Sequence, residues 1–162
     1  MIKAVLFDWG NTLMVDHHNQ KGPMYTWSEI ETMKNAKECL EEVSIRFPCF
    51  LATNANDSNK DEIFKALKIV GFDKYITDVF CSKEIGFQKP SKEYFKTILN
   101  RLNLNPVEIV FVGDDIEKDV YGARGVGIIP IHYDPYSLSD FEGLRIENLI
   151  NLISILETLA YL

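Results

Sequence analysis

The chain has 162 residues, of which 46% are hydrophobic and 25% charged, with a formal net charge of -7 at pH 7. This length and composition suit one ordinary globular domain and exclude a disordered chain. The acidic balance disfavours nucleic acid as a partner, because phosphate backbones attract basic surfaces, but it leaves room for a bound cation. Residues 4–7, Ala-Val-Leu-Phe, form a continuous apolar run that predicts a strand buried on both faces, and the run ends in Asp8. Residues 14–25 are polar, contain Gly22 and Pro23, and read as a loop. A helix is expected from near Thr26, where Thr26 with Glu29 and Ser28 with Glu31 form capping boxes. Ile30, Met33, Leu40, Val43 and Phe47 continue it at helical spacing.

A second strand is expected over residues 49–52, ending in Thr53-Asn54, followed by a helix capped by Asp57 or Ser58 and stopped by Gly71. Residues 76–81 read as a third strand. A turn through Gly86 and Lys89-Pro90 then reaches Ser91, the expected N-cap of a helix with Tyr94, Phe95, Ile98, Leu99 and Leu102 on one face. The fourth strand, residues 108–112, stops at Gly113-Asp114-Asp115; a helix over 116–124 is stopped by Gly125; a fifth strand covers 127–131 and a last amphipathic helix 147–161. Regular alternation predicts an α/β fold: a three-layer, doubly wound, Rossmann-like parallel sheet of about five strands, in a single domain over residues 1–162. Trp9 and Trp27 read as packing residues, and the last helix is expected to pack on the sheet as part of a monomer or weak dimer.

In such a sheet ligands bind at the carboxyl ends of the strands. Those ends carry Asp8, Thr53, Asp114 and Asp115, with Lys89 on a nearby loop. Each has a plain structural reading as a cap, turn former or solvated charge; their convergence on one edge is what marks a site. No stretch approaches the roughly 20 apolar residues of a membrane span, and the N-terminal apolar run is too short for a signal peptide. Cys39, Cys49 and Cys81 form no CxxC pair, and their odd number argues against a disulfide framework, so a cytoplasmic protein is expected.

Four motifs carry a family resemblance. They are Phe7-Asp8-Trp9-Gly10-Asn11-Thr12-Leu13; Leu51-Ala52-Thr53-Asn54; Gly86-x-x-Lys89-Pro90 followed by Tyr94-Phe95; and Phe111-Val112-Gly113-Asp114-Asp115 with Asp119. In this order they resemble the haloacid dehalogenase (HAD) superfamily, over nearly the whole chain from Ile2 to about Tyr133. A receiver domain gathers similar residues, but presents its acid pair first and its Lys last. The resemblance implies that Asp8 is a nucleophile forming an aspartyl-phosphate. It implies Mg²⁺ as cofactor, held by Asp8, the Gly10 carbonyl and Asp114, and phosphoryl binding by Thr53, Asn54 and Lys89. Asp119 would support the metal shell; Asp115 is either a helix cap or a water-mediated ligand. The substrate would be a phosphorylated small molecule or macromolecule.

One position departs from the family pattern. Its phosphatases carry a second acid two residues after the nucleophile, which protonates the leaving group and activates water; this chain has Gly10. Three readings stay open. The first is a Mg²⁺-dependent phosphatase with residues 14–25 as a flap in place of a full cap, its proton donor coming from elsewhere; Asp16, His17 and His18 are candidates. The second is cleavage of another bond, such as carbon–halogen. The third is a non-catalytic module that binds metal or phosphate. If Gly10 limits catalysis, Gly10→Asp should raise turnover of ordinary esters.

Overall fold

Strand β1 (Ala4–Phe7) is buried along its whole length, as its unbroken apolar run requires. It lies at the centre of a six-stranded sheet in the computed structural model of the chain, which describes residues 1–161. Leu162, the last residue of the expected domain, lies outside the described residues. The other strands are β2 (Cys49–Thr53), β3 (Ile76–Cys81), β4 (Ile109–Gly113), β5 (Ile129–Tyr133) and β6 (Arg145–Ile146). Their order is β3-β2-β1-β4-β5-β6, and every neighbouring pair is parallel. The chain order thus reverses between β1 and β4, and at such a switch point the carboxyl edge opens into a crevice.

Helices cover both faces. On one, α1 (Ala36–Arg46), α2 (Lys60–Val70) and α6 (Leu152–Ala160) bury Leu40, Val43, Leu67 and Leu156 against Val5, Phe7, Leu51 and Val112. On the other, the single turn α3 (Ser82–Ile85), the long α4 (Lys92–Leu102) and the short α5 (Gly122–Arg124) bury Tyr94, Phe95, Ile98 and Ala123 against Leu6, Ala52 and Phe111. Successive strand residues point to opposite faces, so both layers draw on every strand. This is the expected three-layer fold, with one strand more. β6 is a two-residue edge strand paired with His132–Tyr133, too short to carry a periodic signal.

The largest departure lies between residues 26 and 35. Where two capping boxes predict a helix, the chain makes one 3-10 turn, Met24–Thr26, and then runs extended. Val15 N–H donates to Glu31 O at 2.8 Å and Met33 N–H to Leu13 O at 2.8 Å, with Met14 paired antiparallel to Thr32. This long-range pairing outweighs the local capping signal, and helix α1 begins only after Asn35, whose φ of 60° is left-handed. Residues 14–25 otherwise form the expected loop, so an extended arm over residues 15–35 borders the carboxyl edge of the sheet.

Smaller shifts have local causes. The cap of α2 is Asn59 rather than Asp57 or Ser58, in a reciprocal box with Glu62. Gly125 sits in the right-handed region, while Gly127, with φ of 89°, makes the turn that delays β5 to Ile129. Residues Ile116–Tyr121 are helical as expected, but wound as a π-helix. The last helix opens with a 3-10 turn, Leu149–Asn151. Gly71 (φ 74°) and Ser91, which accepts the Tyr94 N–H, cap their helices as predicted.

Phe95 is fully buried and meets the rings of Tyr94 at 5.4 Å and Phe111 at 5.6 Å between centroids. Phe95→Ala should therefore lower unfolding free energy by about 3–5 kcal/mol. Urea denaturation checks this, and a loss under about 1 kcal/mol would show that the α4 layer repacks freely.

Candidate active site

β1 ends just before Asp8, β2 at Thr53 and β4 just before Asp114, so the sheet alone brings three of the expected site residues to one edge. The loop between α3 and α4 carries Lys89 inward until it is almost wholly buried. Its Nζ donates to Asp8 Oδ1 at 2.8 Å and to Asp119 Oδ1 at 2.7 Å. The face of the Phe111 ring lies 5.4 Å from the same nitrogen.

Asn54 fixes this loop. Its Oδ1 accepts the Lys89 N–H at 2.8 Å and its amide donates to Lys89 O at 2.9 Å. The sequence groups Asn54 with the phosphate binders; in the structure both its side-chain groups hold the Lys89 backbone. Thr53 Oγ1 accepts the Ala55 N–H at 3.1 Å, which leaves the hydroxyl proton free to donate into the crevice.

Asp119 reaches the site because of the turn that carries it. Asp115 caps that turn by accepting the Lys118 N–H at 2.8 Å, as its cap reading anticipates. Asp119 is fully buried, and its Oδ2 accepts the Asp115 N–H at 3.1 Å. A Cβ on Gly113 would lie 2.3 Å from that oxygen, so only glycine fits at the end of β4.

Two contributions escape the sequence reading. Thr12 is fully buried, and its hydroxyl lies 3.1 Å from Asp114 Oδ1 and 3.3 Å from Asp8 Oδ2, linking the two acids. Its place four residues after Asp8, in the tight loop that ends β1, was the available signal. His132, on β5, brings Nε2 within 3.0 Å of Asp114 O and so braces the β4 loop. Of the flap candidates, Asp16 and His18 line the crevice, whereas His17 turns to Glu31, with Nε2 3.5 Å from its carboxylate. Trp9 and Trp27 both line the crevice, and both pack as expected, Trp9 within the core and Trp27 against it, with Trp27 Nε1 donating to Gly22 O at 2.9 Å. The crevice encloses about 480 Å³.

Carboxylate oxygens of Asp8, Asp114 and Asp119 lie within 4.8 Å of one another. Burial disfavours charge on Asp8, but Lys89 beside it, with further hydrogen bonds, holds the carboxyl below its ordinary value. Burial likewise opposes the Lys89 charge, but Asp8 and Asp119 hold the ammonium above the ordinary lysine range. One cation cannot serve three buried acids. Burial, then the Asp8 charge, pushes Asp114 up to about 8 and Asp119 up to about 7. A surplus of buried negative charge among close oxygens fits a divalent cation. The Gly10 carbonyl, beside Asp8, accepts no hydrogen bond among the described residues, while Trp9 O takes the loop's N–H groups from Thr12, Leu13 and Met14. Asp8, Asp114 and the Gly10 carbonyl could therefore hold such an ion.

A sequence model of haloacid dehalogenase-like hydrolases matches residues 10–132, and the chain belongs to this family. It is 35% identical over 112 residues to the ribulose-1,5-bisphosphate 5-phosphatase of Halopiger xanaduensis, covering 69% of this chain and 46% of that protein. The chain spans about half the length of the curated relatives it matches. A solved structure of a Listeria monocytogenes serotype 4b protein superposes with a TM-score of 0.88 at 26% identity, covering 99% of this chain and all of that one. The fold is shared with a magnesium-bound structure of the HAD-hydrolase YfnB from Bacillus subtilis, at a TM-score of 0.78, 16% identity, and coverage of 96% of this chain and 98% of that one.

The acid cluster sets the sign of a pH dependence. Because Asp114 and Asp119 titrate at about 8 and about 7 when folded, against an ordinary 3.8, the folded chain holds more protons than the unfolded chain between those values. Stability in EDTA should therefore fall as pH rises from about 5 to about 8. Asp8 acts in the opposite sense, but only below its ordinary value. Thermal melts across this range provide the check; a flat or rising midpoint would contradict the charge surplus.

Proposed function

We propose that the chain is a Mg²⁺-dependent phosphatase acting through an aspartyl-phosphate on Asp8. The observation that carries this reading is the buried Lys89 ammonium fixed between Asp8 Oδ1 and Asp119 Oδ1. It keeps the Asp8 carboxylate ionised in a site that would otherwise protonate it. An ionised carboxylate lining a crevice is a nucleophile awaiting an electrophile.

Two of the three Lys89 ammonium protons are engaged by the acids, and the third remains for a phosphoryl oxygen. The Thr53 hydroxyl is a second donor for the same group, and Asn54 acts by holding Lys89 in register. Asp8, the Gly10 carbonyl and Asp114 would hold Mg²⁺, which would offset the repulsion between a carboxylate and a phosphoryl dianion. Thr12 aligns Asp8 and Asp114; Asp119 anchors Lys89, and Asp115 caps the turn that carries Asp119.

The relatives named as phosphatases of small phosphorylated compounds support a substrate of that class. The broad crevice also admits a phosphate carried on a larger molecule. Residues 1–162 are read as one domain of this fold, with residues 14–25 as a flap within the extended arm. No described helix is long and apolar enough to cross a membrane. The three buried free cysteines accord with a cytoplasmic setting.

The purified chain should hydrolyse p-nitrophenyl phosphate with Mg²⁺ and lose this activity in EDTA. Asp8→Asn should lower kcat by at least about 10³-fold with its melting behaviour retained. A folded Asp8→Asn protein that keeps wild-type turnover would overturn the nucleophile.

A further inference from the structure

We propose that Asp16 is the proton donor and acceptor for the reaction at Asp8, filling from the flap a role for which Gly10 offers no side chain. The inference rests on the phosphatase reading above. Cleavage of an ordinary alkyl ester expels an alkoxide, and a positioned acid that protonates it contributes about 10²–10⁴-fold. The crevice must therefore contain a carboxyl that is not already committed to another task.

Most of its carboxyls are committed. Asp8, Asp114 and Asp119 are tied to one another through Thr12 and Lys89, and Asp115 caps the Lys118 N–H. Asp57 lies exposed at the rim. Asp16 is half-buried on the wall of the same crevice, and its carboxylate accepts no hydrogen bond and forms no ion pair among the described residues. The backbone holds it there. Its N–H donates to Asn11 Oδ1 at 3.0 Å, and the preceding N–H, of Val15, donates to Glu31 O at 2.8 Å.

Its placement relative to Gly10 is the decisive geometry. A Cβ built on Gly10 would lie 3.5 Å from Asp16 Cβ and 3.6 Å from Asp16 Oδ2. The Asp16 carboxylate thus stands in van der Waals contact with the point from which a side chain two residues beyond the nucleophile would project. The absence of a side chain at position 10 is what leaves this place open to the flap. His18 lines the crevice too, but from an exposed position, and His17 faces Glu31.

The step balances without a further reactant beyond water. An Asp8 oxygen forms a bond to phosphorus while the phosphorus–alkoxide bond breaks, and the departing oxygen takes the proton of the Asp16 carboxylic acid. The resulting Asp16 carboxylate then takes a proton from water as the water oxygen bonds to phosphorus. The Asp8–phosphorus bond breaks, giving inorganic phosphate, a free Asp8 carboxylate and a reprotonated Asp16.

The same geometry revises an expectation from the sequence. Gly10 lies outside the left-handed region and a Cβ there makes only ordinary contacts, so the backbone accepts a side chain. A second carboxylate at position 10 would, however, press against that of Asp16. Gly10→Asp alone should therefore not raise turnover of ordinary esters; the exchange Gly10→Asp with Asp16→Ala should restore it.

The test compares kcat/KM, which reports formation of the aspartyl-phosphate and not its later hydrolysis, on p-nitrophenyl phosphate, whose leaving group needs no proton, and on an alkyl phosphate, with Mg²⁺. Asp16→Asn should lose at least about 10-fold more kcat/KM on the alkyl ester than on the aryl ester. Asp16→Ala should behave alike, and the double exchange should recover at least about 10-fold on the alkyl ester over Asp16→Ala. Equal losses of kcat/KM on both esters, or wild-type kcat/KM on the alkyl ester by folded Asp16→Asn, would overturn the role of Asp16 and leave the phosphatase reading standing. No Mg²⁺-dependent turnover of either ester by the wild-type chain would overturn both.

Discussion

The Lys89 ammonium is buried between carboxylates, 2.8 Å from Asp8 and 2.7 Å from Asp119, and a charge so placed is tolerated only while both partners stay in position. Much of the local architecture follows from that requirement. Gly113 carries no side chain because Asp119 occupies the space. The π-wound turn after β4 brings Asp119 to the ammonium, and Asp115 caps it. Asn54 clamps the Lys89 backbone from the end of β2, so strands β1, β2 and β4 all converge on one cation. Removing Lys89 would leave buried acids unpaired, and removing either acid would leave a buried ammonium half-satisfied.

The pairing is also incomplete in an informative way. Lys89 answers for two carboxylates and the cluster holds three; burial, and then the Asp8 charge, pushes Asp114 and Asp119 up to about 8 and about 7. Such a surplus is a cost to the fold unless a cation relieves it. Stability and the proposed chemistry therefore depend on the same charges. The flap adds the second element. The extended arm both walls the crevice and delivers Asp16 beside Gly10, so covering the site and moving the proton are assigned to one segment.

The strands and the site were legible in the sequence because their signals are local and coincide. A buried apolar run ending in an acid marks both a strand and its functional edge, as at Phe7-Asp8 and Gly113-Asp114. What stayed hidden depends on contacts between distant residues. Two sound capping boxes near Thr26 lost to backbone pairing with residues 13–15. Asn54 has the composition of a phosphate binder, and only the fold shows it holding Lys89. Thr12 reads as a turn residue until Asp114, 102 positions away, is seen against its hydroxyl. The two-residue β6 has no period to detect. Gly10 was visible as a departure and Asp16 as one of three candidates to answer it; that Asp16 stands beside Gly10 was not.

The most direct measurement is chemical trapping of the intermediate. The chain is mixed with p-nitrophenyl phosphate and Mg²⁺, quenched in acid during turnover, reduced with borohydride and mapped by peptide mass spectrometry. Reduction of an acyl-phosphate at Asp8, and at no other carboxylate, is the predicted result. Turnover with Asp8 unmodified, or with the label on another residue, would contradict the nucleophilic role on which the functional reading depends.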